Sequence, residues 1–473
     1  MINKKNKFED NWPRLVAKFQ RDRKPINLNF KEAVIKHLQV KPSEVFTHHL
    51  HSYPGKVFRF IPALLFSLQE LCPPDGVCLD PFCGSGTILL ESIINPVFKR
   101  NVYGVEINPL GRLISKVKTT VLDELNFKKY FRYLKEVRFS SNDEISVPEY
   151  GNIEFWFSKK AIYRLGRLRY LIEQLNDDDC TDFFWTCYSS IIRKASMADP
   201  FIPPPVKLKI YKYENSLYKY EFLKKFRDEA EDPDVMSLFE NKVKTNYERI
   251  QSLNRIREIR EGEIRAHLIW DDVKNIRIGN LACKGIIIKG NDKPLPSKSI
   301  DLVITSPPYI TAQKYIRTQK LELLWLGLLS EKELTSLQKR IIGSEFVTSE
   351  DVELIEEIGV KSIDSLVQWA LTISPSRAAT LFKYFQDMQQ AMSEINRVLK
   401  DYSYAIFVVG NNKVLGKKID TFKYLIDLGS SLGFEPKIVL KDRIRGRGMI
   451  TKRHNKGGLI KEEFIIILRK GAG

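Results

Sequence analysis

VCLDPFCGSGTILLE, residues 77–91, is the stretch from which the rest of the chain can be read. Residues 77–79 are apolar and read as a buried strand. Asp80 ends it, Gly84, Ser85 and Gly86 form a glycine-rich turn, and an apolar helix follows. A strand that passes through glycines into a helix presents backbone N–H groups and a positive helix end to a bound anion. The glycines let a ligand approach the backbone closely. The spacing fits neither G-x-x-x-x-G-K-[ST] nor G-x-G-x-x-G, which disfavours a phosphate-cradling NTPase loop. The turn points to a nucleotide-like cofactor held by an α/β sheet.

Two more stretches narrow this. Residues 101–106, NVYGVE, read as the next strand and end in Glu106, followed by Ile107, Asn108 and Pro109. An acid at that tip suits a ribose diol, because one carboxylate accepts from both hydroxyls. Far downstream, residues 301–310, DLVITSPPYI, read as a strand running into Ser-Pro-Pro-Tyr. On these residues the chain resembles the S-adenosylmethionine-dependent methyltransferases. DPFCGSG is similar to their first motif. TSPPY is similar to the catalytic motif of the amino-methyltransferases, which act on N4 of cytosine or N6 of adenine. The resemblance covers the sheet and a Tyr-Pro segment, under half of the chain.

Composition sets outer limits. The 473 residues, 43% of them hydrophobic, suffice for one large domain with insertions or for two to three domains. No apolar run approaches ~20 residues, so no transmembrane helix is expected. The basic N-terminus lacks the apolar segment of a secretory signal. Six scattered cysteines form no C-x-x-C and fit a reducing cytoplasm. His48, His49 and His51 cluster without partners at metal-ligand spacing, so no metal is expected. A formal charge of +18 favours a polyanionic partner, nucleic acid before an anionic membrane. A solubilising excess of charge is the blander reading.

Taken in order, residues 1–45 read as an N-terminal arm and 46–118 as the cofactor-binding half. Tyr53-Pro54-Gly55 is a turn signal. The Tyr-Pro segment resembles the one lining the methionine end of the cofactor pocket in the family; taken alone, Tyr53 reads as a half-buried structural tyrosine. Residues 119–282 lose strand alternation and read as helices, broken by Ile202-Pro203-Pro204-Pro205. This block is either a target-recognition surface, using Trp156, Phe183, Phe184, Trp185, Arg193 and Lys194, or an insertion with its own core. Residues 255–265, with Glu258, Glu261 and Glu263 interleaved, read as a solvated helix face. Residues 283–328 are the catalytic half, with a strand at 285–290, the SPPY strand, and a helix at 314–326 that exposes Lys314 and Arg317. A small helical insertion occupies 329–374. Residues 375–473 complete the sheet. The resemblance implies an α/β, Rossmann-like class I methyltransferase fold of seven mostly parallel strands, ending in an antiparallel hairpin. The loop of that hairpin, residues 442–458, carries Arg443, Arg445, Arg447, Lys452 and Arg453 and is the local candidate for phosphate contact.

The resemblance also assigns roles by position. Tyr53, Asp80, Phe82, Gly84 and Gly86, with Cys83 and Thr87, surround the methionine end of S-adenosylmethionine. Glu106, with Ile107 beside it, takes the ribose, and Asn291 with Asp292 takes the adenine. Methyl transfer to an amino nitrogen is a direct displacement in which the protein orients and desolvates the reactants. The difficulty is the nucleophile, whose lone pair is conjugated with the base. Ser306 through its hydroxyl and Pro307 through its carbonyl can accept the two N–H bonds out of the ring plane. Pro307 and Pro308 hold these acceptors still, and Tyr309 stacks on the base, worth about 1–3 kcal/mol. A duplex buries the amino group, so the base must be flipped out.

Ser before Pro-Pro-Tyr is commoner in the N4 enzymes that this sequence resembles. The expected reaction is therefore methylation of cytosine N4 in duplex DNA, in the cytoplasm, with a cognate restriction endonuclease as a possible partner. Adenine N6 is the alternative. An RNA base is a further one, disfavoured because only about 45 residues precede the Tyr-Pro segment. A non-catalytic nucleic-acid-binding subunit is disfavoured because Asp80, Glu106, Asp292 and Ser306 are all present. The chain has no Pro-Cys dipeptide, which disfavours methylation of cytosine carbon 5.

Overall fold

The computed structural model describes residues 8–136, 143–149, 151–310, 315–444 and 461–472. Its strands, in chain order, are β1 (Ile26–Asn27), β2 (Cys78–Asp80), β3 (Val102–Val105), β4 (Ala266–Trp270), β5 (Arg277–Leu281), β6 (Ile287–Pro294), β7 (Ile300–Thr305), β8 (Leu399–Gly410), β9 (Asn412–Val414), β10 (Lys417–Ile419), β11 (Phe434–Arg443) and β12 (Glu462–Lys470). Eight of them form one sheet in the order β1-β11-β12-β8-β7-β2-β3-β4. Strands β8, β7, β2, β3 and β4 run parallel, and β12 is antiparallel to both β8 and β11. β2 and β7 are buried along their whole length, as strands covered by helices on both faces must be.

The connectivity places the site. From β2 the chain steps outward through β3 to β4, then returns to β7 on the other side of β2. Strand order reverses between β2 and β7, and the crevice beyond their carboxyl ends is where such sheets bind ligands. Asp80 ends β2 and Ser306 follows β7, so both motifs open onto that crevice.

Two expectations are corrected. Among the described residues the sheet has eight strands, because the two-residue β1 joins the edge beside β11 and is too short to show in an alternation pattern. The strand next to β3 is β4, from residues assigned above to the helical block. Residues 285–290 instead enter β6, which pairs with β5 in a separate antiparallel hairpin. Both stretches are apolar, but burial separates them. Leu268, Ile269 and Trp270 are buried, whereas Ile286 and Ile288 are 48% and 56% exposed.

Side chains gather into two cores. One lines the sheet and its flanking helices. The other fills the helical block and includes Phe183, Phe184 and Trp185, which are at most 1% exposed. These rings are therefore core, not recognition surface. Arg193 donates to the carbonyls of Asp199, Ile202 and Pro203 and holds the proline stretch in place. In 255–265 only Arg257–Arg260 is helical; Arg257 pairs with Glu261 and Glu263 beyond it at 3.1 Å each, so the stretch is solvated but is not the continuous helix face expected there. Among the described residues, no helix is long and apolar enough to cross a membrane.

Candidate active site

Asp80 builds the turn that follows β2. Its Oδ1 accepts from Phe82 N at 3.2 Å and from Thr305 Oγ1 at 2.7 Å, which ties the glycine turn to the end of β7. Burial pushes this carboxyl up to about 7. Gly84 and Gly86 have φ of 54° and 73°, the left-handed region that favours glycine. A Cβ on Gly86 would stand 2.9 Å from Ser115 Oγ and 3.1 Å from its Cα.

Ser115 belongs to the helix Pro109–Thr119, which Asn108 caps by accepting from Leu110 N. The same helix carries a residue that the sequence reading passed over. A Cβ on Gly111 would lie 2.9 Å from the Glu106 side chain, 2.9 Å from Gly84 O and 3.0 Å from Tyr53 Oη. Glycine at 111 is what lets this helix close on the turn. A packing glycine inside a helix has no distinctive local signature, which is why it was missed.

Glu106, at the tip of β3, is half-buried. Its Oε2 accepts from Gly84 N at 2.7 Å and its Oε1 from Asn108 N at 2.8 Å. Burial raises its pKa, and those two backbone donors oppose the rise. Arg112 donates to the carbonyls of Glu106, Ile107 and Gly285 and so holds the strand end. Asn108 Nδ2 donates to Tyr53 Oη at 3.2 Å and Gln319 Oε1 at 2.7 Å, linking the Tyr-Pro segment to the chain beyond SPPY.

On the other side, Ser306 Oγ donates to Val408 O on β8 at 3.0 Å. With its proton committed there, the hydroxyl can offer only lone pairs elsewhere. Gly343, at φ 81°, packs on the Tyr309 carbonyl, where a Cβ would come within 2.9 Å. Asn412 Nδ2 donates to Ile310 O.

These pieces wall one cleft. Tyr53, Phe82, Gly84, Glu106 and Ile107 form one side, and Ser306 and Pro308 the other. Arg340, Ile341 and Ile342, from the small helical insertion, also line it. Asp80, Cys83, Gly86, Thr87 and Pro307 are buried in support of the wall. Tyr309 is half-buried and packs against the sheet core.

Asn291 and Asp292 lie on β6, away from this wall. Asp292 is ion-paired with Arg277, which holds its carboxyl below the usual range, and it also accepts from Gly290 N. Besides Glu106, the cleft is lined by Asp271 and Asp272, immediately after β4. Asp272 Oδ1 accepts from Lys274 N at 3.0 Å. Asp271 Oδ2 faces Lys289 at 3.3 Å, while its Oδ1 is buried without a hydrogen-bond partner among the described residues. The sequence carries part of a signal for them, which residues 285–292 share. Residues 266–272, AHLIWDD, have the same strand-then-acid form as NVYGVE.

Beneath the turn lies a buried polar group. His48 Nε2 is 2.7 Å from Glu91 Oε1. Burial pushes Glu91 up to about 8 and His48 well down, so burial favours the uncharged form of both partners. Of the expected nucleic-acid contacts, Arg317 and Arg443 are exposed. Lys314, Arg445, Arg447, Lys452 and Arg453 lie outside the described residues.

No family model matches the chain. Over 399 residues it is 26% identical to the type II methyltransferase M.MvaI of Kocuria varians, an alignment spanning 78% of this chain and 77% of that protein. Coverage that wide takes in part of the helical insertions as well as the sheet.

Proposed function

We propose that this chain is a site-specific DNA methyltransferase that moves the methyl group of S-adenosylmethionine to the exocyclic N4 of cytosine. One observation carries the reading: the glycine turn after β2 and the SPPY segment after β7 wall a single cleft at the reversal of strand order. Asp80 and Thr305, 225 positions apart, are hydrogen-bonded beneath it. The likeness to a type II methyltransferase supports the same reaction class.

The residues present fit the cofactor. Gly84, Tyr53 and Phe82 line the cleft where the methionine end would lie, and glycine at 86 and 111 lets the helix Pro109–Thr119 pack behind the turn. Glu106 would take the ribose hydroxyls. The partnerless buried Oδ1 of Asp271 is an acceptor suited to the adenine amino group. When bound, the cofactor supplies an electrophilic methyl group on a sulfonium.

The chain's own part is to prepare the nucleophile. Ser306, its proton held by Val408 O, presents lone pairs to one N–H of the target amino group. The Pro307 carbonyl would accept the other. Two acceptors out of the ring plane draw the nitrogen toward tetrahedral geometry and stand where its spare proton departs. This interaction strengthens as the nitrogen rehybridises, so it favours the transition state over the bound base.

The test is to incubate the enzyme with labelled cofactor and duplex DNA or total RNA, digest to nucleosides, and identify the labelled one by mass. N4-methylcytosine from DNA is expected. N6-methyladenine would overturn the base assignment, and label confined to RNA would overturn the substrate. Ser306→Ala should keep cofactor affinity and lower kcat by roughly 10²-fold.

A further inference from the structure

Residues 207–227 hold seven Lys or Arg against two acids, together with four Tyr and two Phe. The structure turns much of this outward. Tyr211, Leu217 and Tyr218 are 61%, 75% and 80% exposed, so core packing does not account for them. Lys209, Lys212 and Lys219 are exposed, and none meets a carboxylate among the described residues. Residues 255–265 make the contrast: there Arg257 and Arg260 are neutralised by neighbouring glutamates. Lys219 instead sits over the Phe201 ring at 5.4 Å and the Tyr213 ring at 5.9 Å.

The surface is also anchored. Tyr213 Oη donates to Asp199 Oδ2 at 2.8 Å, and Arg193 holds the carbonyls of Asp199, Ile202 and Pro203. Arg193 follows the helix Asp178–Ile192, which packs on the helix Lys320–Trp325. That second helix lies just beyond Ile316 on the cleft wall. Unneutralised cations interleaved with exposed aromatic rings, on a frame continuous with the cleft, match a polyanion that also offers flat apolar edges.

We infer that this face of the helical block contacts duplex DNA beside the target base, with Lys209, Lys212 and Lys219 on phosphates and Tyr211 and Tyr218 against sugars and base edges. The inference rests on the DNA reading above. It predicts two separable effects. Lysines on phosphates contribute to all sequences and to salt dependence. Tyrosines contribute affinity with little effect on salt dependence.

The test uses the full chain and a labelled duplex, with affinity measured by fluorescence anisotropy over a salt series. Replacing Lys209, Lys212 and Lys219 by Ala should weaken binding to every duplex and flatten log K against log salt by about 0.9 per lost contact, up to about 2.7. Replacing Tyr211 and Tyr218 by Ala should weaken binding roughly tenfold and leave the slope unchanged. S-adenosylmethionine affinity, read by calorimetry, should match the parent in both variants, which excludes misfolding. Unchanged affinity and slope in variants of a parent that does methylate DNA would overturn this surface alone. A parent that neither binds nor methylates DNA would overturn the DNA reading and this surface with it. A parent that prefers phosphatidylserine vesicles to duplex, with the preference lost in the lysine variant, would overturn the choice of partner.

Discussion

Glu91 shows what burial does to a single acid in this protein. It stands on the helix Thr87–Ile94, every residue of which is buried, and shares a 2.7 Å hydrogen bond with His48. Its carboxyl titrates at the ordinary value of 4.5 in the unfolded chain and at about 8 in the fold, chiefly because burial penalises the charge. The unfolded chain therefore gives up this proton first as pH rises. The stability that the protonated group contributes is complete below about 4.5 and is lost as pH climbs to about 8. His48 acts in the opposite sense but only below its ordinary 6.5, since burial holds it neutral in the fold. Between pH 6.5 and 8 the histidines drop out, and Lys118 and Lys56, whose pKa values burial lowers, oppose the carboxyls. Asp80 and Glu322, each pushed up to about 7 by burial, have the same sign as Glu91. Glu91→Gln should make stability fall less across this window than in the parent, by on the order of 1–2 kcal/mol. Urea midpoints at pH 6.5 and 8 measure it. An equal fall in the variant would mean that Glu91 already ionises freely in the fold.

At the scale of elements, the assignment of the adenine acid turns on which strand neighbours β3. Strand β4 pairs with β3 in parallel register, Val102 against Ala266, and delivers Asp271 and Asp272 to the cleft. The β5–β6 hairpin keeps Asp292 paired with Arg277. Asp271→Asn should weaken S-adenosylmethionine binding by roughly tenfold, the loss of one charge-assisted hydrogen bond. Asp292→Asn should leave the affinity within about twofold of the parent, because its partner is a protein cation on another strand. Calorimetry on the pair decides the matter. Loss at Asp292 with none at Asp271 would restore the assignment made from the sequence.

At the scale of the molecule, the core of the helical block takes in the segment that follows SPPY. Trp325 is fully buried in the core of the helical block, with its ring edge-on to Phe157 at 5.3 Å, and its carbonyl accepts from Arg169 at 3.0 Å. The helix that carries it leads back toward Ile316 on the cleft wall. The helical block is thus packed into the catalytic half and is not appended to it. Trp325→Ala should lower stability by about 3–5 kcal/mol, the usual loss for an aromatic removed from a closed core. Denaturant unfolding followed by circular dichroism would show it. A change below about 1 kcal/mol would mean that the block and the segment after SPPY do not share a core.

Much of the candidate site was legible in the chain because it is encoded in contiguous residues. Strand, acid, glycine turn and helix follow one another in 77–91, and the strand running into Ser-Pro-Pro-Tyr is complete in 301–309. Such motifs carry their own backbone constraints: glycines at positive φ and prolines at fixed φ. The choice of third strand was not legible, since AHLIW and GIIIKG are both short apolar runs followed closely by an acid. Only the burial available beside β3 separates them. The same holds for Phe183, Phe184 and Trp185, whose composition suits a surface for bases as well as it suits a core, and which the packing of the helical block encloses. Gly111 matters only because the helix beneath it meets Gly84 and Tyr53. The acceptor role open to Ser306 depends on a carbonyl 102 positions away, at Val408. Local sequence specifies backbone shape and the chemical groups on offer. Which groups face one another, and which are denied water, is settled by contacts between distant segments, and those exist only once the sheet has closed around β2 and β7.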